Sequence, residues 1–402
     1  MNTIFNTEAF IKEKIIHRQE SFFKNDLEKF KNDLEKEIKN KSVLVIGGAG
    51  TIGSSFIKAL LAYSPGKLVV IDINENGLTE LVRDCRSSST IKLPEYFKFY
   101  PLNFGSGIFK KIFETEAPFN IVANFAAHKH VRSEKDVFSI EAMIENNVLH
   151  AKSLLDVLVQ QPPQHFFCVS TDKAANPVNI MGASKKLMEE VVLAYSNDFT
   201  ITTARFANVA FSNGSLLAGF LERVMKQQPL SCPSDVKRFF VSPQEAGELC
   251  LLACVLGKSG DIFFPRLSED EMVNFSDIAV GFIKELGFEP EICITENEAR
   301  EKVYLIKEKK YPVYFFASET SGEKLYEEFY TADEELDLDK FSCLGVIKNA
   351  ERKDKATLNN IIRQVEALFS LKAGKQDVIA LLHKLLPGFK HIETGMNLDQ
   401  KM

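Results

Sequence analysis

Short apolar runs alternate with helical segments from residue 41 onward. The runs are rich in Val, Ile and Phe and read "SVLVIGG", "KLVVIDI", "NIVANFAA", "HFFCVST" and "ITTARFANV". Continuous apolar strands separated by helices are typical of a parallel sheet that is buried on both faces. The pattern therefore predicts an α/β fold with a doubly wound parallel sheet over residues 41–205.

The two ends of the chain, and the region after residue 205, have a different pattern. Residues 1–40 contain the repeated heptad "KNDLEKFKNDLEKE", which predicts an amphipathic helical extension that packs on its own domain or on a second subunit. The apolar stripe of this helix is Leu27, Phe30, Leu34 and Ile38. We expect residues 206–330 to form mainly a smaller substrate-binding lobe, interleaved with the first domain. Residues 331–402 contain two helical patterns and are expected to form a helical C-terminal extension.

Composition and charge narrow the classes of partner. The 402-residue chain carries a formal net charge of −6, which argues against binding to a nucleic-acid backbone or an anionic membrane surface. Seven cysteines without a framework spacing indicate reduced thiols. Cys250 and Cys254 lie one helical turn apart, but no second pair completes a metal site, so we expect no metal. We see neither a signal peptide nor an apolar run of roughly 20 residues, and we expect a cytoplasmic protein.

A glycine-rich turn follows the first apolar run and begins a helix. In "VLVIGGAGTIGSSF" the glycines satisfy both GxxGxxG and GxGxxG, and such a turn lets a pyrophosphate approach the backbone N–H groups at the helix start. Asp72 ends the next run, 19 residues beyond Gly53, where a carboxylate accepts both ribose hydroxyls and repels a 2′-phosphate. The pattern predicts a Rossmann-type site that prefers NAD over NADP. The expected cofactor contacts here are Gly47, Gly48, Gly50, Thr51, Ile52, Gly53 and Asp72.

Further strand ends are expected to line the same site. Asn103 in "PLNF" is placed to reach the adenine, and "NFAAHKH" is placed to line the ribose and pyrophosphate. The residues of that second stretch which we assign to the cofactor are Ala126, Ala127 and Lys129. Asn147 in "ENNV" follows on a helix and is assigned to the cofactor as well.

Reactive groups are concentrated in "STDKAANPVNIMGASKK". Ser170 to Lys173 stand at the carboxyl end of a buried strand, the edge at which α/β sheets bind ligands. Met181 and Lys185 are four residues apart and lie on one face of the helix that follows. Lys185 is placed to reach the nicotinamide ribose and to hold positive charge near a developing oxyanion, whereas Met181 has no proton to give.

These stretches occur in one order with "RFANVAFSNGS", "VKRFFVSPQEA" and "SGEKLYEE". Over roughly residues 41–330 the chain resembles the extended short-chain dehydrogenases/reductases that act on nucleotide sugars, and it is most similar to the UDP-N-acetylglucosamine 4,6-dehydratase group of bacterial surface-glycan synthesis. Methionine in place of the usual active-site tyrosine is found in part of this group. The resemblance implies an NAD that is reduced and reoxidised in each turnover and a UDP-N-acetylglucosamine substrate. We also expect a homo-oligomer.

The resemblance implies a division of roles among the reactive groups. Oxidation at C4 of the sugar acidifies H5, after which water leaves across C5 and C6 and hydride returns to C6. Lys173 is implied as the base for H5 and Asp172 as the acid for the departing O6. Thr171 is implied to bind O4 and pass its proton on, assisted by Lys185. The residues implied to contact the sugar or its diphosphate are Ser170, Met181, Asn208, Ser212, Ser215, Arg238, Glu323 and Lys324.

Three departures from the family pattern concern the sugar or the nucleotide more than the reaction. They are Ser321 in "ETSGEKL", Arg132 in "HKHVRSEKD", and Val236 with Lys237 in "PSDVKRFF". His128 and His130 are alternative proton carriers, although the pattern favours ordinary loop histidines. A nucleotide-sugar 4-epimerase shares the first hydride step without needing an acid and a base at C5 and C6, and a cofactor-binding sensor without catalysis is a second alternative. The Asp172–Lys173 pair favours the dehydratase over the epimerase, and retention of Thr171, Asp172, Lys173 and Lys185 argues against the sensor.

Overall fold

The structure is a computed structural model that describes residues 5–318, 328–371 and 373–392. Its strands within that part of the chain are β1 (Ser42–Ile46), β2 (Lys67–Asp72), β3 (Tyr96–Pro101), β4 (Ile121–Asn124), β5 (His165–Val169), β6 (Ile201–Ala204), β7 (Asn208–Val209), β8 (Leu230–Pro233), β9 (Lys237–Arg238), β10 (Phe240–Val241), β11 (Asp261–Pro265), β12 (Val273–Asn274), β13 (Glu289–Cys293), β14 (Lys310–Phe316), β15 (Leu336–Asp337) and β16 (Leu344–Ile347).

The α-helices are α1 (Thr7–Phe10), α2 (Lys24–Lys29), α3 (Lys31–Ile38), α4 (Thr51–Leu61), α5 (Glu75–Ser87), α6 (Gly107–Glu116), α7 (Val137–Ile144), α8 (His150–Gln160), α9 (Ile180–Leu193), α10 (Leu216–Met225), α11 (Pro243–Leu256), α12 (Phe275–Glu285), α13 (Glu296–Glu301), α14 (Lys355–Ser370) and α15 (Lys375–Leu385). A π-helical turn, Ile11–Ile15, continues α1, and a second one, Glu145–Leu149, joins α7 to α8. Within the described ranges, we find no helix that is both long enough and apolar enough to cross a bilayer.

Nine strands form the main sheet in the order β15-β16-β11-β6-β5-β4-β1-β2-β3. Seven of these strands, β3, β2, β1, β4, β5, β6 and β11, are parallel to one another. The last two, β16 and β15, extend the sheet with antiparallel pairings. The register aligns the carboxyl ends, because Ile46 pairs with both Ile71 and Asn124, and Asn124 pairs with Cys168. The residues after β1, β2, β4 and β5 therefore emerge at one edge. The predicted α/β class with a doubly wound, Rossmann-type parallel sheet is confirmed.

Helices cover both faces of this sheet, which is why its central strands are almost entirely buried. The edge strand β3 is mostly exposed. On one face α3, α4, α5 and α11 pack on residues such as Val43 and Val70. On the other face α6 to α9, together with α14 and α15, pack on residues such as Leu44 and Ile201. Cys250 and Cys254 are fully buried in α11, where they act as small apolar residues.

A second, smaller lobe has its own core. Its parallel sheet has the order β13-β14-β8, and α1, α10 and α12 contribute buried residues to the same apolar cluster. The pairs β7–β10 and β9–β12 lie in the same part of the sequence. The chain enters this lobe after β6 and returns to the main sheet at β11, leaves again, and returns at β15.

The two extensions differ from the sequence-based expectations in detail. The predicted amphipathic helix is two helices, since the backbone turns at Phe30 with φ of −103° and ψ of 15° between α2 and α3. Asp26 ties α2 to the chain directly before β16, because its buried carboxylate accepts the N–H groups of Ser342 and Cys343 at 2.7 and 2.9 Å. Leu34 and Ile38 are buried against the chain's own main domain. The segment after residue 330 contains the two expected helices but also β15 and β16, which the helical patterns did not indicate.

Candidate active site

The glycine-rich turn joins the end of β1 to α4. Gly47 has a φ of +74°, and a Cβ atom there would lie 2.4 Å from the amide nitrogen of Ala126, so only glycine fits. A Cβ at Gly53 would lie 2.2 Å from the carbonyl oxygen of Gly47, and Gly48 packs equally closely on β2. Gly50 is the N-cap of α4 and supplies no side-chain acceptor. The N–H groups of the first turn, at Thr51, Ile52 and Gly53, are thus left to an incoming anion.

Asp72 at the end of β2 lies against this turn. Its Oδ2 atom accepts the N–H of Ala49 at 2.9 Å, and its Oδ1 atom accepts the N–H of Asn74 at the same distance. These bonds hold the carboxylate in place while the side chain stays half-buried. Each oxygen keeps a second lone pair, so both can still accept ribose hydroxyls.

The loop after β4 forms the next wall of the site. The side chain of Asn124 turns this loop by accepting the N–H of Ala126 at 3.0 Å. Ala126 and Ala127 are half-buried and Lys129 is exposed. Desolvation by the surrounding protein nevertheless lowers the pKa of Lys129. Asn103, after β3, makes its own turn by accepting the N–H of Gly105 at 2.8 Å.

The side-chain amide of Asn147 binds the backbone of this loop and is not free to bind a ligand. Its Oδ1 atom accepts the N–H of His128 at 2.9 Å, and its Nδ2 atom donates to the carbonyl of His128 at 2.9 Å and to the hydroxyl of Ser184 at 3.0 Å. The side chain is only 1% exposed. The assignment of Asn147 as a direct cofactor contact is therefore replaced by an anchoring role, because all of its bonding groups are used inside the protein. Desolvation by the surrounding protein and the neighbouring His150 lower the pKa of His128.

Three reactive side chains meet on one oxygen atom at the end of β5. The hydroxyl of Thr171 donates to Oδ1 of Asp172 at 2.7 Å, and the backbone N–H of Lys173 donates to the same atom at 2.9 Å. The ammonium of Lys173 lies 3.2 Å from that oxygen. Asp172 is 5% exposed, so these contacts act in a largely dry environment. Hydroxyl, carboxylate and ammonium are thus within proton-transfer distance of one another.

Ser170 points into the protein and not towards a substrate. Its hydroxyl donates to Oε1 of Glu189 at 2.6 Å. The guanidinium of Arg205 donates two hydrogen bonds of 3.0 Å to the carboxylate of Glu189. It donates two more, of 2.9 Å, to the carboxylate of Glu334. Ser170 is 5% exposed. The assignment of Ser170 as a substrate contact is replaced by an anchor for the reactive turn, since its hydroxyl proton is engaged in this buried ion pair.

Lys185 and Met181 are both nearly inaccessible. The ammonium of Lys185 donates to the carbonyl of Val169, the last residue of β5, at 2.7 Å, and burial lowers the pKa of Lys185. Met181 is 3% exposed and belongs to the apolar cluster on the α7–α9 side of the sheet. Its backbone N–H donates to Oε1 of Glu134 at 2.9 Å. Met181 therefore packs in the core. This position disfavours the expected contact of its side chain with the sugar.

The second lobe brings further predicted residues towards the glycine turn. The N–H of Asn213 donates to the hydroxyl of Thr51 at 2.9 Å, which ties the 208–215 loop to the start of α4. Asn208 lies in β7, Ser212 is mostly buried, and the hydroxyl of Ser215 caps α10 by accepting the N–H of Ala218 at 3.2 Å. Arg238 in β9 is 6% exposed. Glu323, Lys324 and Ser321 lie outside the described residues.

Sequence reasoning missed the residues that hold the site together. They are Asn124, Glu134, Ser184, Glu189 and Arg205. Asn124, Ser184, Glu189 and Arg205 have a weak signal in the sequence, because each is a polar residue inside a stretch that is otherwise buried. Glu189 follows Lys185 by one helical turn, and Arg205 follows directly on β6, positions at which a charge needs a partner.

The sequence is similar to known proteins over most of its length. A family model described as "Polysaccharide biosynthesis protein" matches residues 43–349. The "Uncharacterized membrane protein MJ1061" of Methanocaldococcus jannaschii is 31% identical over 320 residues, which cover 77% of this chain and 86% of that protein. The "Capsular polysaccharide biosynthesis protein CapD" of Staphylococcus aureus is 28% identical over 74% of this chain. The match spans about half (46%) of the length of CapD.

Solved structures share the fold. Pen from Bacillus thuringiensis superposes with a TM-score of 0.63 at 22% identity, over 82% of this chain and 99% of that one. DesIV, a dTDP-glucose 4,6-dehydratase from Streptomyces venezuelae with NAD and TYD bound, gives 0.55 at 18% identity over 72% and 88% of the two chains. A UDP-N-acetylglucosamine 4-epimerase from Methanobrevibacter ruminantium gives 0.55 at 14% identity over 83% and 99%. The same fold thus carries more than one reaction.

Proposed function

Because the chain belongs to the polysaccharide biosynthesis protein family, we propose that it is an NAD-dependent nucleotide-sugar 4,6-dehydratase of surface-glycan synthesis. In this proposal it converts UDP-N-acetylglucosamine to a UDP-4-keto-6-deoxy-hexosamine and works as a homo-oligomer. The observation that carries the proposal is the convergence of Thr171 and Lys173 on Oδ1 of Asp172.

The residues present fit a dinucleotide. A side chain at Gly47 would collide with the backbone of Ala126, so glycine lets the turn after β1 pack closely on the loop after β4, as the tight turn of a dinucleotide site requires. The first turn of α4 supplies N–H donors, and Asp72 supplies acceptors for the ribose. Bound NAD supplies a hydride acceptor for oxidation at C4 and a donor for C6.

The chain's own groups supply the proton transfers that elimination requires. Thr171 binds O4 and passes its proton to Asp172, to which it already donates. Lys173 removes H5 as the neutral amine, and Asp172, which carries the proton received from Thr171, gives that proton to the departing O6. The three described bonds to Asp172 all end on Oδ1, so its Oδ2 atom is the one we assign to O6. Lys185 donates to the carbonyl of Val169 at the end of β5. From this position we assign it electrostatic assistance to Thr171.

The smaller lobe, residues 206–330, binds the rest of the substrate in this proposal. Arg238 pairs with the diphosphate, for which a planar guanidinium is well suited. The residues that complete the contacts are Asn208, Ser212, Ser215, Glu323 and Lys324. A 4-epimerase would use the cofactor and Thr171 in the same way. It would need neither an acid nor a base at C5 and C6, which are the roles that we assign to Asp172 and Lys173.

The test is the product formed from UDP-N-acetylglucosamine in deuterated water, followed by mass spectrometry and NMR. We expect a product lighter by one water with deuterium at C5. An isomer of unchanged composition would replace the proposal by an epimerase, and bound NAD with no turnover would replace it by a binding protein without catalysis.

Variants separate the proposed roles. Because each removes a proton-transfer group, we expect Thr171→Val, Asp172→Asn and Lys173→Met to lower the rate of water loss at least about a hundredfold, with NAD still bound. The matched control is Lys152→Met, a lysine in a surface ion pair with Asp156, for which we expect the wild-type rate. Near-normal water loss by Asp172→Asn would contradict the assignment of the acid.

A further inference from the structure

The family match begins at residue 43, yet part of the chain before it packs into the smaller lobe. Residues 5–16, which we name the N-terminal segment, comprise α1 and the π-helical turn after it. Phe10, Ile11 and Ile15 of this segment are buried in the core of the smaller lobe. Residues 23–38 pack on the main domain instead. The N-terminal segment is therefore an added part of the substrate lobe.

The N-terminal segment contacts the loop that carries the proposed substrate residues. This loop, residues 208–215, has the sequence "NVAFSNGS", and Phe211 stands at its centre, directly before Ser212. The ring centroid of Phe211 lies 6.1 Å from that of Phe10 and 6.4 Å from that of Phe5. Phe282 of α12 completes the cluster, at 5.1 Å from Phe5 and 6.1 Å from Phe211. Edge-to-face and tilted pairs at these distances attract one another.

Phe211 needs such support because its backbone is in the left-handed region, with φ of +53°. A bulky side chain is rarely found there, and the conformation persists only where the surroundings hold it. On its other side the loop is held by the bond from Asn213 to Thr51, and the ring of His130 lies over Gly214. The Phe5–Phe10 pair is the support that comes from outside the family's span.

We infer that the N-terminal segment is a positioning element for substrate: through Phe5 and Phe10 it holds Phe211, and thereby the 208–215 loop, in the conformation that binds the nucleotide sugar. The inference rests on the proposed function for the identity of the ligand. Phe5 and Phe10 touch neither the reactive turn nor the glycine turn in any described contact. Loss of their rings lowers the fraction of molecules with a competent loop, which weakens the apparent affinity by that fraction.

The test compares wild type with the double variant Phe5→Leu, Phe10→Leu. We expect the KM for UDP-N-acetylglucosamine to rise about tenfold, as for a loop that is competent in about a tenth of molecules, while kcat and NAD content stay within about twofold. Amide hydrogen exchange at residues 211–215 is expected to accelerate by a similar factor. The matched control is Phe288→Leu, which belongs to the same cluster but packs on Tyr311 at 5.5 Å, and we expect it to leave KM and loop exchange unchanged.

A second variant keeps the test decisive if the double variant does not fold. Phe211→Gly removes the ring but suits the left-handed backbone, and we expect the same rise in KM. A folded double variant with lower thermal stability but wild-type KM and loop exchange would overturn the inference, as would a Phe211→Gly variant with wild-type KM. If wild type converts no nucleotide sugar, the proposed function fails. Loop exchange, measured without substrate, then decides the inference by itself.

Discussion

At the scale of the residue, the cofactor turn depends on the absence of a side chain at Gly47. An alanine there would place its Cβ 2.4 Å from a backbone nitrogen at a φ of +74°, and the left-handed backbone alone costs about 1–2 kcal/mol. We expect Gly47→Ala to lower the free energy of unfolding by about 2 kcal/mol or more. NAD bound to the purified protein should fall about tenfold or more, since about 1.4 kcal/mol of lost affinity corresponds to tenfold. Urea denaturation and absorbance of the released cofactor measure the two effects.

Gly107 provides the comparison for this substitution. It is the first residue of α6, and a Cβ atom there would meet nothing within 4 Å. Gly107→Ala should be neutral or should stabilise by up to about 1 kcal/mol, with unchanged NAD content. Wild-type NAD content in Gly47→Ala would contradict the role given to the turn.

At the scale of the element, the strands that carry the site were predictable because their signals are local. The apolar runs β1, β4 and β5 are followed directly by Gly47, Phe125 and Ser170, and β2 ends at Asp72. A parallel sheet brings such strand ends to one edge. The strands β15 and β16 were not predictable, since both are short: β16 becomes a strand by pairing with β11, far away in sequence, and β15 by pairing with β16. The inward direction of Ser170 and Asn147 depends on Glu189 and Ser184, which no spacing reveals.

The last described stretch of the chain is an element that sequence patterns left without an interpretation. After α15, the N–H groups of Lys390 and Ile392 donate to the carbonyls of Pro177 and Val178 at 3.1 and 2.9 Å. These carbonyls belong to the turn that leads into α9. Phe389, 2% exposed, fixes this stretch in the core. The tail thereby supports the helix on which Lys185 stands.

Removal of the Phe389 ring tests that support. We expect Phe389→Ala to lower the free energy of unfolding by about 3–5 kcal/mol, the usual cost of a large cavity, and to accelerate hydrogen exchange at the start of α9. Leu371→Ala is the control, because Leu371 is 71% exposed and its loss should change stability by less than about 0.5 kcal/mol. Unchanged exchange in α9 of a destabilised Phe389→Ala would show that the tail contributes stability without positioning the helix.

At the scale of the whole molecule, the chain passes repeatedly between its two cores. The N-terminal segment begins in the smaller lobe, and Arg18 then binds Glu245 of the main domain at 2.6 Å and Glu271 at 3.4 Å. The strands β8, β13 and β14 of the lobe lie in sequence between β6 and β16 of the main sheet. Because segments of one core are joined directly to segments of the other, unfolding of either core disturbs the other. We therefore expect the two cores to unfold in one cooperative transition.

Substitution of Arg205 tests the coupling between the two cores. It is fully buried and joins Glu189, behind the reactive turn, to Glu334, in the segment that returns from the smaller lobe. Burial would raise the pKa of Glu189, but Arg205 and Lys186 outweigh it and hold the pKa at about 2. Arg205→Met leaves buried carboxylates without this cation, which typically costs about 3–5 kcal/mol.

The pH dependence distinguishes lost charge pairing from lost packing. Since the pKa of Glu189 is depressed in the folded protein, its stabilising effect is present above the ordinary glutamate value of 4.5 and is lost as the pH falls towards 2. The deficit of Arg205→Met should therefore be largest at neutral pH and above and should shrink as the pH falls. Adding Glu189→Gln to Arg205→Met should recover part of the loss at pH 7, because the unpaired charge is then absent. Urea titrations at several pH values measure these differences, and a deficit that is independent of pH and of Glu189→Gln would assign the role of Arg205 to packing alone.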